Sequence, residues 1–159
     1  MATDKLQREE KTIKVSALTD GTVIDHLADG TGLRVLRVLG LDKGTTYPVA
    51  IGLALDSRKL GKKDLIKIER REITQEEVNK IALISPEATL SIIRETHVVR
   101  KFRPEIPDLL ESVVRCLNPS CVSNHERIKS RFRVLRRDSL RLRCEYCERA
   151  IAADDVELL

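Results

Sequence analysis

The sequence predicts an α+β protein with two domains of unequal size, and three observations carry this prediction. Segments of alternating apolar and polar residues are interleaved with two segments of helical periodicity in the first two-thirds of the chain. All four cysteines lie after residue 115. The segment 103–107 contains two prolines, which favour an extended connection over a continuing helix. The predicted domains therefore comprise residues 1–103 and 104–159.

The N-terminal domain is predicted to begin with a strand and a helix. Alternation over 12–18 continues into 22–26, so the first strand is expected to be long and broken at Gly21. Residues 29–39 carry leucine and valine three and four positions apart, which is typical of a helix that packs on a core. Gly40 is suited to end this helix, because glycine adopts the left-handed conformation of a helix C-terminus at little cost.

A second helix has a clear start and stop in the sequence. Thr74 and Glu77 have the spacing of a capping box, in which each side chain binds a free backbone N–H of the first turn. Ser85-Pro86 is expected to end the helix, since the residue before a proline avoids the helical conformation. The face expected to be buried consists of Val78, Ile81 and Ala82.

Four further segments have the alternation of strands. They are residues 47–55, 64–68, 89–94 and 98–101, and a polar loop joins the first two. With 89–94 and 98–101 as the final strands, the order of elements is βαββαβ, which is the ferredoxin-like arrangement. Both helices are expected to pack on one face of an antiparallel sheet. The other face is left for solvent, a ligand or a partner.

The cysteines form two close pairs, Cys116 with Cys121 and Cys144 with Cys147, and 22 residues separate the pairs. This spacing is typical of a Zn²⁺ ion held by four thiolates in a small all-β, zinc-ribbon-like domain. Four thiolates leave no position for water, so the metal is expected to be structural. A domain of about 50 residues is also small enough to need such a cross-link.

Other interpretations of the cysteines stay open. Two disulfides or four unrelated thiols are disfavoured because the N-terminus carries no secretory signal, and cytosolic thiols stay reduced. Nothing in the sequence specifies an iron–sulfur cluster. His125, four residues after Cys121, could replace a cysteine as a ligand. Because four sulfurs already fill the site, His125 is expected on the surface.

Between the cysteine pairs, arginine and lysine alternate with apolar residues over 127–134 and again over 140–143. With a turn at 138–139, this pattern predicts a hairpin with one charged face. The face could bind nucleic-acid phosphates, dock on an acidic protein surface, or simply be solvated. The pattern alone does not separate these three interpretations.

Composition excludes several classes of protein. The 29 basic and 25 acidic residues give a net charge of only +4, and aromatic residues make up 3% with no tryptophan. Both observations argue against a nucleic-acid-binding protein that stacks bases on aromatic rings. The longest apolar stretch, 49–55, is far shorter than the roughly 20 residues that span a bilayer. No membrane association and a cytoplasmic location are expected.

The motifs of common enzymes are missing. The sequence contains no nucleophile elbow, P-loop or H-E-x-x-H motif. The segment 30–32 (Gly-Thr-Gly) lacks the third glycine of a dinucleotide-binding loop. Asp25 and His26 are adjacent in a predicted strand, so they are expected on opposite faces and do not form a catalytic pair. The chain is therefore predicted not to be an enzyme.

One candidate ligand site follows from the positions of the lysines. Lys63, Lys67 and Lys101 lie on predicted strands or at strand ends. Together with His26 they could gather across the sheet. Ammonium groups and an imidazole suit a polyphosphate, although scattered lysines are also common as solvated charge.

Several segments together resemble the aspartate carbamoyltransferase regulatory chain. They are residues 21–26 (Gly-Thr-Val-Ile-Asp-His), 61–69, 86–89 and the cysteine quartet, and the resemblance covers residues 11–157. It implies a non-catalytic subunit of a pyrimidine-biosynthesis enzyme, paired as a homodimer and joined to catalytic chains. It also implies that the N-terminal domain binds CTP as inhibitor and ATP as activator, with UTP assisting CTP in some members. The zinc domain would contact the catalytic chain.

The resemblance further implies an effector site, with the base at one end. Ser91 and Thr96 stand where the family often has asparagine and tyrosine, so the preference between CTP and ATP is left open. The apolar contacts to the base are expected at Val15, Leu18, Ile93 and Val98.

At the other end, the resemblance implies contacts to ribose and phosphates. Asp25 would bind the ribose, and Lys67 the base or the ribose. His26 and Lys101 would bind the phosphates. Lys63 lies where a phosphate or a second nucleotide is expected. Since the phosphate contacts match the family, binding of a nucleoside triphosphate is the main expectation.

Overall fold

The structure, a computed structural model, describes residues 16–159 and contains two sheets, each with its own apolar core. The first sheet carries two helices, whereas the region after residue 108 is all-β apart from two short 3₁₀ turns. The predicted α+β class is therefore confirmed. Within residues 16–159, neither helix is long and apolar enough to cross a bilayer.

The first sheet has five strands in the order β2-β3-β1-β4-β5, and all neighbours are antiparallel. The first four strands in chain order and the two helices follow the predicted ferredoxin-like sequence of elements, and β5 is an edge strand next to β4. The elements are β1 (Gly21–Ala28), α1 (Gly32–Val38), β2 (Val49–Ser57), β3 (Gly61–Glu69), α2 (Gln75–Ile84), β4 (Thr89–Arg94) and β5 (His97–Phe102).

Both helices pack on the same face of this sheet. Ile24, Ile66 and Leu90 are fully buried on three adjacent strands, where they meet Val35 of α1 and Ile81 of α2. The alternation of strand side chains sends the intervening residues to the opposite face. That opposite face carries no helix of the described chain, as predicted.

α1 is shorter than predicted because a turn precedes it. The N–H of Thr31 donates to the carbonyl of Ala28, and the helix starts only at Gly32. At its end, Gly40 has φ +67° and the N–H of Leu41 donates to the carbonyl of Leu36, which is a Schellman motif. The predicted glycine stop is thus confirmed. Leu33 on the expected apolar stripe is 55% exposed.

α2 agrees with its predicted start, stop and buried face. The hydroxyl of Thr74 accepts the N–H of Glu77, and the Glu77 carboxylate accepts the N–H of Thr74 at 2.8 Å. The helix ends at Ser85, before Pro86. The predicted face is buried and comprises Val78, Ile81 and Ala82.

Two strand predictions need correction. The first strand begins at Gly21, because residues 16–18 have no regular secondary structure; the predicted strand residues 12–15 lie outside the described residues. β2 and β3 extend through most of the predicted polar loop and leave a turn of three residues. These polar residues pair across the hairpin, as Asp56 does with Lys62, and the sequence alternation could not show this.

The C-terminal sheet has the order β6-β7-β8-β9. Its predicted hairpin is confirmed as β7 (Arg131–Arg136) and β8 (Arg141–Cys144), joined by a turn over 137–140. The flanking strands β6 (Leu109–Glu111) and β9 (Ala150–Ala152) were not predicted, since three residues are too few to show alternation. The core of this domain includes Leu110, Val113, Phe132, Leu142 and Ile151.

A buried carboxylate joins α1 to the sheet. Asp64 is fully buried, and its two oxygens accept the N–H of Gly32 at 2.8 Å and the N–H of Ala54 at 2.9 Å. Ala54 has φ +53° and lies at a bulge in β2. The carboxylate therefore satisfies two N–H groups that no strand or helix partner reaches.

Replacing Asp64 by asparagine is expected to destabilise the N-terminal domain by about 1–3 kcal/mol. The amide of Asp64→Asn has one acceptor oxygen, so its NH₂ group would face one of the two N–H donors. Urea unfolding measures the loss. Asp56→Asn is the matched control, because Asp56 is exposed and its side chain binds only Lys62 among residues 16–159, and it should leave the midpoint unchanged. Equal midpoints for both variants would contradict the role of Asp64.

Candidate metal centre and ligand-binding face

The four cysteines form one cluster. Their sulfur atoms all lie within 4.8 Å of one another, and Cys116, Cys121 and Cys144 are buried. The Sγ atoms of Cys116 and Cys147 are 3.6 Å apart, and those of Cys121 and Cys144 are 3.8 Å apart. A tetrahedral zinc with Zn–S bonds of about 2.3 Å separates its sulfurs by about 3.8 Å. The same distances are far beyond the roughly 2.05 Å of a disulfide.

The loops that carry the sulfurs are held by their own hydrogen bonds. Asn124 donates from Nδ2 to the carbonyls of Cys116 and Asn118, at 2.8 and 2.9 Å. The carbonyl of Cys144 accepts the N–H of Glu148, which has φ +62° and so reverses the chain after Cys147. Sequence analysis missed Asn124, although its place just after the first cysteine pair was a possible signal.

The thiols of the cluster differ in how readily they ionise. Burial raises the pKa of Cys116 to about 12. Burial also acts to raise the pKa of Cys147, but hydrogen bonds from the Arg149 N–H and the Asn118 side chain outweigh it and lower the value to about 7. Four adjacent thiolates repel one another, so a central cation is needed to hold them ionised. His125 is exposed and lies outside the cluster, as predicted.

On the first sheet, Asp25 and His26 do not point to opposite faces as predicted. A bulge interrupts the pairing of β1 with β3 between Ile24 and Leu27, and His26 has φ +53°. The bulge brings the two side chains together, with His26 Nδ1 at 3.7 Å from Asp25 Oδ2. This Nδ1 is buried and has no hydrogen-bond partner within residues 16–159. A bulge changes the alternation by one residue, which sequence periodicity does not reveal.

Lys63 joins this cluster from the neighbouring strand. Its Nζ lies 2.7 Å from Asp25 Oδ1, and its side chain is only 19% exposed. Burial acts to raise the pKa of Asp25, but the hydrogen bond and charge of Lys63 outweigh it, so the pKa is lowered. The predicted grouping of Lys63 with His26 is thus present, and Asp25 links the two.

Lys67 and Lys101 share the helix-free face but do not meet. A single row of paired residues crosses all five strands, in the order Ala50, Lys67, Val23, Ser91 and Lys101. Three strand spacings separate the two lysines, which is about 14 Å at their Cα atoms. The predicted gathering of all three lysines is therefore not formed by the chain alone, and a ligand between them would have to be long.

The apolar residues expected at the base end lie in two places. Ile93 and Val98 are paired on β4 and β5, and Ile93 is buried whereas Val98 is 56% exposed. Leu18 lines a separate cavity of about 320 Å³ together with Lys67, whose Nζ donates to the Ser16 carbonyl. Val15 lies outside the described residues. The cavity is lined by residues 16–19, by the start of β2 and by the end of β3.

The charged hairpin face is partly neutralised. Arg131 binds Glu111 at 2.7 Å and Glu145 at 3.0 Å, and Arg133 binds Glu145 at 2.5 Å. Arg137 forms an ion pair with Asp108. The acidic partners come from β6, the linker end and the second cysteine loop. The basic pattern read along β7 and β8 alone could not show them.

The family models that match this chain describe two domains of one protein family, and together they cover most of the chain. The family model for the allosteric domain of the aspartate carbamoyltransferase regulatory chain matches residues 13–105, and the model for its metal binding domain matches residues 108–157. Three of the relatives carry the name aspartate carbamoyltransferase regulatory chain. Those of Pyrococcus abyssi, Thermococcus gammatolerans and Thermococcus kodakarensis are 47%, 46% and 45% identical to this chain.

The alignments cover 91–92% of this chain and 95–96% of these relatives, so the similarity extends through both sheets. The cysteine cluster lies inside the matched metal-binding domain, and the bulge with its lysine lies inside the matched allosteric domain. The family name implies the catalytic chain as partner. The chain therefore belongs to the family of aspartate carbamoyltransferase regulatory chains, the non-catalytic subunits of that enzyme.

Proposed function

We propose that this chain binds CTP and ATP on the helix-free face of the five-stranded sheet and thereby controls the attached catalytic chains. The observation that carries the proposal is the cluster of Asp25, His26 and Lys63 at the β1 bulge. It sets an imidazole and an ammonium group at one end of an open sheet face. These groups suit the phosphates of a nucleotide.

The charges on this face support a triphosphate. Lys63, Lys67 and Lys101 all belong to it, and Asp25 already holds Lys63 in place. A triphosphate that extended from His26 toward Lys101 would contact the His26 imidazole at one end and the Lys101 ammonium at the other. The ammonium of Lys63 would then exchange part of its contact with Asp25 for a phosphate oxygen, which leaves Asp25 free to accept a ribose hydroxyl.

The base end has both apolar and polar groups. Ile93 and Val98 offer apolar contacts to a base, and Ser91 lies beside them on β4. Leu18 and Lys67 line the separate cavity of about 320 Å³ and offer a second set of contacts there. UTP could bind at these contacts and assist CTP. We assign Val15 to this end as well, on the family resemblance alone. A serine hydroxyl both donates and accepts hydrogen bonds, so Ser91 is compatible with either CTP or ATP.

For the metal we propose one structural Zn²⁺ per chain. The residues that would hold it are Cys116, Cys121, Cys144 and Cys147, whose sulfur spacing fits Zn²⁺. The ion would tie the loop before β7 to the loop after β8. Thiolate ligands require a reducing compartment, which supports a cytoplasmic location.

Exposed surfaces of the chain support two protein partners, a second copy of this chain and the catalytic chain. β2 is an edge strand with Ile51 and Leu53 36% and 45% exposed, and we assign this edge to a second copy of the chain in a homodimer. We assign the hairpin arginines to an acidic surface of the catalytic chain. The intrachain acids beside Arg131 and Arg133 argue against nucleic acid, because they weaken the positive field that phosphates require.

The connection between residues 103 and 108 is proposed to transmit the domain movement. Replacing Pro104 and Pro107 by glycine should weaken the effector response but leave nucleotide affinity unchanged, because glycine loosens the connection without touching the sheet face. Activity of the holoenzyme with and without CTP measures the response. An unchanged response would contradict this role of the prolines.

The direct test of the proposed function uses the chain assembled with its catalytic chains. CTP and ATP should shift the substrate concentration at half-maximal rate, and isolated catalytic subunits should show no shift. A coupling of about 1–3 kcal/mol corresponds to an affinity ratio of about 5–150. An assembled enzyme whose half-maximal substrate concentration stays the same with and without CTP or ATP would contradict the regulatory role of these nucleotides.

A further inference from the structure

The last residue of β1 joins the sheet to α2. Pairing between β1 and β4 ends at Asp25 with Thr89, so the N–H of Ala28 lies beyond the end of that ladder. The hydroxyl oxygen of Ser85 accepts this N–H at 3.0 Å. Ser85 is 1% exposed and is the residue that ends α2. One buried side chain therefore connects the end of β1 to the end of α2.

Ala28 is also close to the proposed phosphate site. It follows His26 by two residues, and it is paired with Lys63 of β3, the lysine that binds Asp25. Its carbonyl accepts both the N–H and the hydroxyl of Thr31 ahead of α1. A change in the bulge at Asp25 and His26 on nucleotide binding would thus displace a residue that is bonded to the ends of both helices.

α2 in turn contacts the metal-binding domain. Leu83 packs against the core of the C-terminal sheet, and Lys80 Nζ donates to the Leu159 carbonyl at 2.6 Å. A cavity of about 430 Å³ lies between Ala82, Leu83 and Pro86 near this helix end and residues 136–141, which form the hairpin turn and the two strand residues next to it. The helix end therefore has contact with the second domain and also has space in which to move.

We propose that Ser85 is a positioning residue that couples the nucleotide site to the metal-binding domain. It transmits a displacement of the β1 bulge to the end of α2 through the Ala28 N–H. This inference rests on the proposed function, because it concerns the response to the same nucleotides. The Ser85→Ala side chain would fit the space but leave the partly buried Ala28 N–H without its acceptor, so the strand and the helix could move separately.

The experiment compares Ser85→Ala with the wild-type chain in the holoenzyme. Two quantities are measured: the dissociation constant of CTP and the ratio of half-saturating substrate concentrations with and without CTP. Ser85→Ala should leave the dissociation constant within about twofold and move the coupling ratio, typically about 5–150, toward one. Removal of a merely stabilising hydrogen bond would not change this ratio.

Thr22→Val is the matched control. Thr22 is a fully buried hydroxyl on the same strand, but it donates to the Arg71 carbonyl at 2.7 Å, away from the end of α2. Loss of the Thr22 hydroxyl should lower the free energy of unfolding and leave the coupling ratio unchanged. Should Ser85→Ala fail to fold, hydrogen exchange on the wild-type chain gives the second readout. CTP should change the protection of the Ala28 amide and of the amides at the end of α2 together.

The outcomes separate the two proposals. A wild-type chain that does not bind CTP or ATP contradicts the proposed function and this inference with it. CTP binding with the same coupling ratio in Ser85→Ala and wild type overturns only the role of Ser85. Loss of CTP affinity in Ser85→Ala also overturns it, since the residue would then act on the site itself. In hydrogen exchange, protection that changes at Ala28 but not in α2 contradicts the connection.

Discussion

Removal of the metal is expected to unfold the C-terminal sheet and to leave the five-stranded sheet folded. Cys116, Cys121 and Cys144 belong to the core of the C-terminal domain, so loss of the ion removes the cation that holds their thiolates together inside it. A structural zinc contributes about 10–16 kcal/mol, which equals or exceeds the whole stability of a typical domain. Treatment with a chelator, followed by circular dichroism and hydrogen exchange of each sheet, measures the effect.

The variant Cys144→Ser should act in the same way as the chelator, and binding to the catalytic chain should be lost with it. His125→Ala is the matched control, because His125 is exposed and lies outside the cluster. Metal content by atomic absorption should be one ion per chain for wild type and His125→Ala. Retention of metal and fold by Cys144→Ser would contradict the four-thiolate site, and joint unfolding of both sheets would contradict the division into domains.

Replacing Lys63 by alanine should weaken CTP binding by about 10–100-fold. A hydrogen bond to a charged group contributes about 1.5–3 kcal/mol, and each 1.4 kcal/mol is a factor of ten in affinity. The variant also leaves Asp25 without the ammonium at 2.7 Å, so an unpaired carboxylate would face the phosphates. Both effects act in the same direction. Equilibrium binding of CTP to the metal-loaded chain measures the loss.

Lys62→Ala is the matched control for this loss. Lys62 is the adjacent lysine on β3, so it has the same charge but points to the other face, where it binds the exposed Asp56. Its removal should leave the CTP affinity within about twofold, and any general effect of net charge would be visible there. Equal affinities for Lys62→Ala and Lys63→Ala would remove Lys63 from the proposed site.

Much of the fold could be predicted because local chemistry and burial agree. The capping box at Thr74 and Glu77, the glycine stop at Gly40 and the alternation of β4 each indicate one structure. The metal cluster could be predicted for a similar reason, since few kinds of site other than a metal centre have four cysteines at this spacing. The residues that decide each helix end and each pair of cysteines lie close together in the chain.

The parts that could not be predicted depend on contacts between distant segments. The bulge at His26 reflects the register of β1 against β3, and the acceptor of the Ala28 N–H is contributed by Ser85, 57 residues later. Asp64 likewise joins α1 to a bulge in β2. Periodicity describes one element at a time, so it cannot show where a strand changes register or which side chain reaches it.

The most direct test of nucleotide binding at the sheet face is a calorimetric titration of the metal-loaded chain with CTP, repeated with Lys101→Ala. Lys101 lies at the end of the paired row, across the sheet from Lys67. Saturable binding to the wild-type chain at one site, strongly weakened in Lys101→Ala, is the expected result. No detectable binding of CTP or ATP by calorimetry and by a second method, or equal affinity of the two chains, would contradict the effector site.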